Sequence, residues 1–99
     1  MIRILQESNK SDITARLINL GYNISGCKLE WVDDDGNYKL ISSNKAFEYL
    51  TLEYSAKEET AYIDFKKLDD VQDEIEESFK FPGDMNKCVL RWNELAKMK

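Results

Sequence analysis

The segment 27–66 constrains the fold most strongly, because apolar and polar residues alternate through much of it with a period of two. Cys27, Leu29 and Trp31 alternate with charged residues, which is the pattern of a half-buried β-strand. Residues 34–37, Asp-Asp-Gly-Asn, then form a strong signal for a tight turn, since Gly and Asn tolerate the positive φ angles that such turns need. The pattern therefore predicts a β-hairpin here.

Three further strands are predicted after this turn. Residues 38–41 return along the first strand, and residues 47–54 are rich in apolar and aromatic side chains. A polar turn around 57–59 precedes residues 61–65, which pair back on the preceding strand. We expect an antiparallel meander of about four strands.

Helices are predicted before and after the meander along the chain. Ser11-Asp12 is a helix start signal and Gly21 a stop signal, so residues 11–20 are predicted to form a short amphipathic helix. The role of residues 1–8 is open: Ile2, Ile4 and Leu5 fit either a backward extension of this helix or an edge strand.

The C-terminal third predicts two more helices. Leu68, Val71, Ile75 and Phe79 are spaced by three, four and four residues, which places them on one helical stripe. Pro82-Gly83 ends this helix. Asp84 is a favourable N-cap for the last helix, whose apolar stripe is listed here: Met85, Cys88, Val89, Trp92, Leu95, Ala96. The predicted fold class is α+β, as a single domain over 1–99 with one N-terminal and two C-terminal helices.

The residue types that are missing argue against an enzyme. The chain contains no histidine, the usual general base near neutral pH and the commonest zinc ligand. Its four glycines are scattered, so it has no glycine-rich phosphate loop. Cys27 and Cys88 form no CxxC motif and are predicted to be buried, reduced thiols. We expect no catalytic residues, no metal and no cofactor.

Two acidic clusters are candidate binding sites for a partner. Asp33, Asp34 and Asp35 fail the calcium-loop pattern, because the sixth and twelfth positions hold Tyr38 and Asn44 instead of Gly and Glu. They are therefore interpreted as solvated carboxylates of a hairpin turn. The second cluster places six carboxylates in nine residues: Asp69, Asp70, Asp73, Glu74, Glu76, Glu77. It is either the solvated face of a helix or a docking surface for a basic partner.

The aromatic residues are a further candidate interface. By strict alternation, Phe47 and Tyr49 lie on the face of their strand opposite Leu50 and Leu52. Either helices cover both faces of the sheet, or these rings form an exposed patch that marks an interface. The two tryptophans are predicted to anchor the core.

Charge and hydropathy restrict the partner and the location. No apolar run is long enough to span a membrane and the start is too polar for a secretory signal, so a cytoplasmic protein is expected. The net charge of −5 opposes binding to nucleic acid, which normally requires a basic patch. A protein with a basic surface is the expected partner, without nucleic acid or membrane.

In size, charge and fold class the chain resembles small acidic inhibitors, namely immunity proteins of bacterial toxins and phage-encoded blockers of host defence. The resemblance covers no motif, so it assigns no functional residue. The leading hypothesis is a stoichiometric binder that occludes a basic site on a nuclease toxin or a defence protein. The alternative is a small scaffold or oligomerisation module that uses the aromatic face of the sheet. Neither hypothesis specifies the oligomeric state.

Overall fold

The structure is a computed structural model that describes residues 7–68 and 74–98, with the backbone alone for residues 7–9. Two helices and five strands follow one another along the chain: α1 Glu7–Leu20, β1 Cys27–Val32, β2 Tyr38–Ser42, β3 Phe47–Ser55, β4 Thr60–Lys67, β5 Ile75–Lys80 and α2 Met85–Ala96. Neighbouring strands are antiparallel and their order in the sheet is β1-β2-β3-β4-β5. The predicted α+β class is confirmed, and so is the antiparallel meander.

The predicted helix on the stripe of Leu68, Val71, Ile75 and Phe79 is wrong for its second half, which forms β5. Ile75 pairs with Phe65 of β4, and Phe79 pairs with Ala61. Residues four apart share a face in a strand as well as in a helix, so the spacing of Ile75 and Phe79 fits both structures. Pairing with β4 places both side chains against the core. Leu68 lies in the turn after β4, and Val71 lies outside the described residues.

The two remaining helices are close to their predicted positions. Helix α1 begins at Glu7, four residues before the predicted start, and residues 1–6 lie outside the described part of the chain. Helix α2 begins after Asp84 as predicted, although the Asp84 side chain makes no capping hydrogen bond.

One hydrophobic core joins both helices to a single face of the sheet, which we call the inner face. The α1 residues Ile13 and Leu17 and four buried residues of α2 belong to it. The strands contribute alternate residues, listed here: Leu29, Val32, Tyr38, Leu40, Phe47, Leu50, Leu52, Ala61, Ile63, Phe65. Trp92 is fully buried and its indole Nε1–H donates to the carbonyl oxygen of Asn23 at 2.9 Å, so its predicted role as a core anchor is confirmed.

Two irregularities in strand register reverse the expected side-chain directions. The register shifts between Leu29 and Trp31, which places Trp31 opposite Lys39, and it shifts again between Phe47 and Tyr49. Each shift inserts one residue, and an inserted residue exchanges the faces of all residues beyond it. Trp31 is therefore half-buried outside the core cluster, contrary to the predicted anchor role. Phe47 is only 6% exposed and packs in the core, so its predicted position on the strand face opposite Leu50 and Leu52 is wrong.

Both cysteines are free thiols, as predicted. Cys88 is buried and accepts a hydrogen bond from the Tyr22 hydroxyl at 3.2 Å. Cys27 is only half-buried, so its predicted burial is wrong. Burial raises the pKa of the Cys88 thiol to about 11. No helix within residues 7–68 and 74–98 has the length and apolarity needed to cross a membrane.

Candidate functional site: the acidic outer face of the sheet

The face of the sheet opposite the core, which we call the outer face, carries no helix in the described part of the chain. Its side chains alternate with the buried ones, so the strand registers identify them directly. One row across four strands runs from Ile41 through Thr51 and Asp64 to Glu76. The next row runs from Lys39 through Glu53 and Tyr62 to Ser78. Coverage of both faces by helices, one of the two sequence-based alternatives, is therefore wrong for the described helices.

Three carboxylates meet on this face at a cavity of about 400 Å³. We call Asp64, Glu74 and Glu76 the acidic patch. Lys39, Tyr49, Thr51 and Ile75 complete the cavity lining. Asp64 of β4 and Glu76 of β5 are direct cross-strand partners, and Glu74 immediately precedes β5. Like charges directly opposite one another destabilise a sheet, so this arrangement does not serve stability.

The surroundings of Asp64 favour its neutral form. Partial burial is the largest cause, followed by the adjacent Glu76 carboxylate, which also hydrogen-bonds it, and by Glu53. Together they raise the pKa of Asp64 to about 6, although the Lys39 ammonium acts in the opposite direction. Near neutral pH the outer face thus holds a carboxylate whose negative charge a nearby cation would stabilise.

Few cations in the part of the chain that the structure describes form ion pairs on this face. Lys39 pairs with Glu30 at 3.6 Å and Lys66 pairs with Glu48 at 3.4 Å, and all four side chains are partly exposed. Within the described residues no Lys or Arg forms an ion pair with a carboxylate of the acidic patch. Among the described lining residues, the three carboxylates therefore exceed the single ammonium group of Lys39.

The Tyr49 hydroxyl lies beside the acidic patch, next to the Glu74 carboxylate. It is buried and has no well-aligned hydrogen-bond partner among the described residues. Burial and then the neighbouring Glu74 carboxylate raise the pKa of Tyr49, which keeps the hydroxyl protonated. The hydroxyl is therefore a hydrogen-bond donor that a ligand at the acidic patch could share with Glu74.

Two more aromatic residues lie on the outer face. Trp31 and Tyr62 are half-buried, and the Tyr62 hydroxyl donates to Glu58 Oε1 at 2.6 Å, which fixes the ring over the sheet. Aromatic side chains are enriched in the cores of protein interfaces.

The predicted turn cluster has a different role from the one expected. Asp33 is buried, and its Oδ1 accepts hydrogen bonds from the backbone N–H groups of Asp35 and Asn37, each at 3.0 Å. Its Oδ2 accepts a third from Asn37 Nδ2 at 2.9 Å. Asp33 therefore organises the predicted hairpin turn, in which Gly36 has a φ of +91°. Asp34 and Asp35 are exposed, and none of the three lines the cavity of the acidic patch.

The described carboxylates of the acidic segment 69–77 lie on two different faces of the sheet. Asp69, Asp70 and Asp73 lie outside the described residues, and Glu74 and Glu76 belong to the acidic patch. Glu77 pairs with Ile63 and so belongs to the inner face, where its carboxylate accepts hydrogen bonds from Arg91 of α2, the shortest at 2.8 Å. The Arg91 guanidinium also lies 5.5 Å from the Phe65 ring centre. Glu77 thus joins β5 to α2, and the surface that sequence analysis expected it to share with Glu76 does not exist.

Asp64, the centre of the site, is not among the binding residues predicted from the sequence. One signal was present: Asp64 stands between Ile63 and Phe65 in an alternating strand, so it had to lie on the face opposite the core. Its neighbour Glu76 became identifiable only from the β4–β5 register, because the sequence had placed that residue on a helix.

None of the protein-family models, curated proteins or solved structures compared with the chain matches it. Within the described residues, no group of three potential ligands is arranged to hold a metal ion.

The raised pKa of Asp64 predicts a pH-dependent gain in stability for Asp64→Asn. The folded-state pKa of about 6 lies above the ordinary value of 3.8, so the folded protein holds the proton more tightly than the unfolded chain. The free energy of unfolding therefore falls as the pH rises through this interval. Since asparagine stays neutral, we expect Asp64→Asn to stabilise the protein at neutral pH by about 1 kcal/mol, a value reduced for solvent screening.

Urea unfolding of the two proteins at pH 4 and pH 7.5 measures this effect. The gain should be present at the higher pH and nearly absent at the lower one. Asp12→Asn, at an exposed position of α1, is the matched control and should leave stability nearly unchanged at both pH values. A loss of stability at pH 7.5, or an equal gain at both values, would contradict the proposed environment of Asp64.

Proposed function

We propose that the protein is a non-enzymatic inhibitor whose outer face docks on a basic surface of a partner protein and occludes it. The observation that carries this proposal is the acidic patch, with three carboxylates together on an uncovered sheet face and without an ion pair among the described residues. The partner class is a protein that uses Lys and Arg to hold phosphate, such as a nuclease toxin or a defence protein. A cytoplasmic location remains part of the proposal.

Electrostatics supports a cationic partner for this face. An approaching Lys or Arg side chain offsets the repulsion between Asp64 and Glu76 and favours the charged form of Asp64. The net charge of −5 adds long-range attraction for a basic surface. A guanidinium group fits particularly well, because its planar donors pair with carboxylates and its face stacks on aromatic rings such as Tyr49.

A basic partner also explains why the chain keeps the mutually repelling carboxylates of the acidic patch. The adjacent carboxylates of the acidic patch reduce the stability of the free protein. Binding sites commonly trade stability for function in this way. In the complex, the partner would satisfy these same groups.

The second candidate function is a scaffold or oligomerisation module that uses the same face. The half-buried rings of Trp31 and Tyr62 favour this alternative. Symmetric pairing of two outer faces, however, would bring two acidic patches together near neutral pH, and like charges in an interface are costly. The heterologous basic partner is therefore preferred.

Affinity capture with three tagged proteins tests the proposal. The first is the wild type, and the second neutralises the acidic patch by Asp64→Asn, Glu74→Gln and Glu76→Gln. The third makes the same change in net charge at exposed positions away from the patch, by Asp12→Asn, Glu59→Gln and Glu94→Gln. We expect the wild type and the third protein to retain one stoichiometric basic protein that high salt releases, and the second protein to lose it.

Two results would count against this function. Retention of the partner by the protein whose acidic patch is neutralised would show that the interface lies elsewhere on the molecule. Recovery of the protein alone, as an oligomer resistant to salt, would favour the scaffold function instead.

A further inference from the structure

A second cavity of about 770 Å³ lies where β2 ends and β3 begins, and it shares no lining residue with the cavity of the acidic patch. The segment before β1, the β2–β3 connection, the end of β4 and the C-terminal end of α2 form its walls. Its volume falls in the range typical of ligand-binding clefts. We call it the basic cleft.

Hydrogen bonds of Asn44 hold the walls of the basic cleft together. Asn44 Nδ2 donates to the carbonyl oxygens of Ala96 and Met98, both at 2.9 Å, and so attaches the end of α2 to the β2–β3 connection. Asn44 Oδ1 accepts from the backbone N–H of Ala46 at 2.8 Å. The cleft is thus formed by the fold itself, before any ligand binds.

The lining of the basic cleft combines positive charge with exposed apolar surface. Within residues 7–68 and 74–98 its lining contains Lys45, Lys67 and Lys97 and no carboxylate, in a chain where acids outnumber bases by 19 to 14. Among the described residues, none of these lysines forms an ion pair. Leu68 is 57% exposed and Met98 36% exposed, and these are two of the large apolar side chains on the described surface.

We propose that the basic cleft binds an acidic linear segment of a partner protein, in which apolar side chains alternate with carboxylates. The apolar residues would cover Leu68 and Met98, while the carboxylates would pair with the three lysines. The charge of the cleft is opposite to that of the acidic patch, so the two sites select different ligands and can be occupied together.

An extended segment suits this cleft better than a small anion. Lys45 and Lys97 are exposed, and exposed ion pairs each contribute little to binding. The three lysines lie on three separate segments, namely the β2–β3 connection, the end of β4 and the residue after α2, so an extended ligand can contact them one after another. A segment that also buries Leu68 and Met98 adds apolar contact to several weak ion pairs.

Fluorescence anisotropy with a labelled peptide tests the proposal. The probe is an octapeptide of alternating Glu and Leu, titrated with the full-length protein at low salt. The cleft variant carries Lys45→Gln, Lys67→Gln and Lys97→Gln, and the control variant carries Lys28→Gln, Lys57→Gln and Lys87→Gln, which changes the net charge equally. We expect binding with a Kd on the order of 100 μM, weakened about tenfold in the cleft variant and about twofold or less in the control.

Two further probes define what the cleft recognises. A peptide with every Leu replaced by Ser should bind at least about fivefold more weakly, because apolar contact with Leu68 and Met98 is lost. Amide chemical shifts of residues 43–46 and 96–98 should move when the Glu-Leu peptide is added. Both variants leave the acidic patch intact, so this test is independent of the proposed inhibitor function.

Three results would overturn the proposal. One is equal weakening in the cleft and control variants, and another is a Kd above about 1 mM for the wild type, which is too weak for specific recognition. The third is self-association of the wild type that the cleft variant abolishes, since this would assign the cleft to a second copy of the chain.

Discussion

Reversing the charge of the acidic patch, by Asp64→Lys, Glu74→Lys and Glu76→Lys, is expected to slow association with the basic partner by about 10²- to 10³-fold at low salt. The change replaces three negative charges at the centre of the proposed interface by three positive ones. Both steering during approach and the local pairs in the complex are then lost. Stopped-flow or surface-based kinetics with the captured partner, at several salt concentrations, measures the effect.

The matched control for this prediction is Asp12→Lys, Glu59→Lys and Glu94→Lys, which alters the net charge by the same amount at exposed sites away from the acidic patch. It reduces only the long-range attraction, so we expect association to slow by about tenfold or less. The two variants should become more alike as salt is added. Equal rates for both variants at low salt would show that overall charge, and not the patch, governs association.

The second large effect concerns the core, because Trp92→Ala is expected to lower the free energy of unfolding by about 3–5 kcal/mol. Trp92 is fully buried between α2 and the inner face, and its removal leaves a cavity and an unpaired Asn23 carbonyl oxygen. A loss of this size consumes a large share of the stability of a small domain. Guanidinium unfolding followed by circular dichroism measures it.

Leu90→Ala on the same helix provides the control, since Leu90 is 70% exposed. We expect this substitution to change stability by less than about 0.5 kcal/mol. Trp92→Phe should fall between the two, because the ring contacts remain in part while the hydrogen bond to Asn23 is lost. A Trp92→Ala protein as stable as Leu90→Ala would contradict the packing described for α2.

The sheet could be predicted largely from local signals. The alternation from residue 27 onwards and the Asp-Asp-Gly-Asn turn both act over a few residues, and neighbouring strands joined by short turns pair with each other. The signals that predict the apolar stripe of α2 and its start also act over a few residues. These elements follow from the sequence because no distant partner decides between alternative structures for them.

Strand irregularities and β5 could not be predicted in this way. The inserted residues near Glu30 and Glu48 leave no distinctive sequence mark, yet they exchange the faces of Trp31 and Phe47. Ile75 and Phe79 fit a helix and a strand equally well by spacing. Pairing of β5 with the exposed edge of β4 decides the outcome, and that contact is tertiary.

The acidic patch required the same tertiary information. The sequence identified Glu74 and Glu76 as binding candidates but grouped them with Glu77, which the structure turns to the inner face beside Arg91. It did not bring Asp64 to Glu76, because these residues meet only through the β4–β5 register. The basic cleft was missed altogether, since its three lysines come from distant parts of the chain.

Carboxyl footprinting of the captured complex tests the central claim most directly. A carbodiimide couples glycine ethyl ester to exposed carboxylates, and mass spectrometry compares the labelling of each residue in the free and the bound protein. The proposed inhibitor predicts that labelling of Asp64, Glu74 and Glu76 falls several-fold on binding, while labelling of Asp12 and Glu94 is unchanged. Unchanged labelling of the acidic patch, with protection of carboxylates elsewhere, would show that the outer face is not the interface.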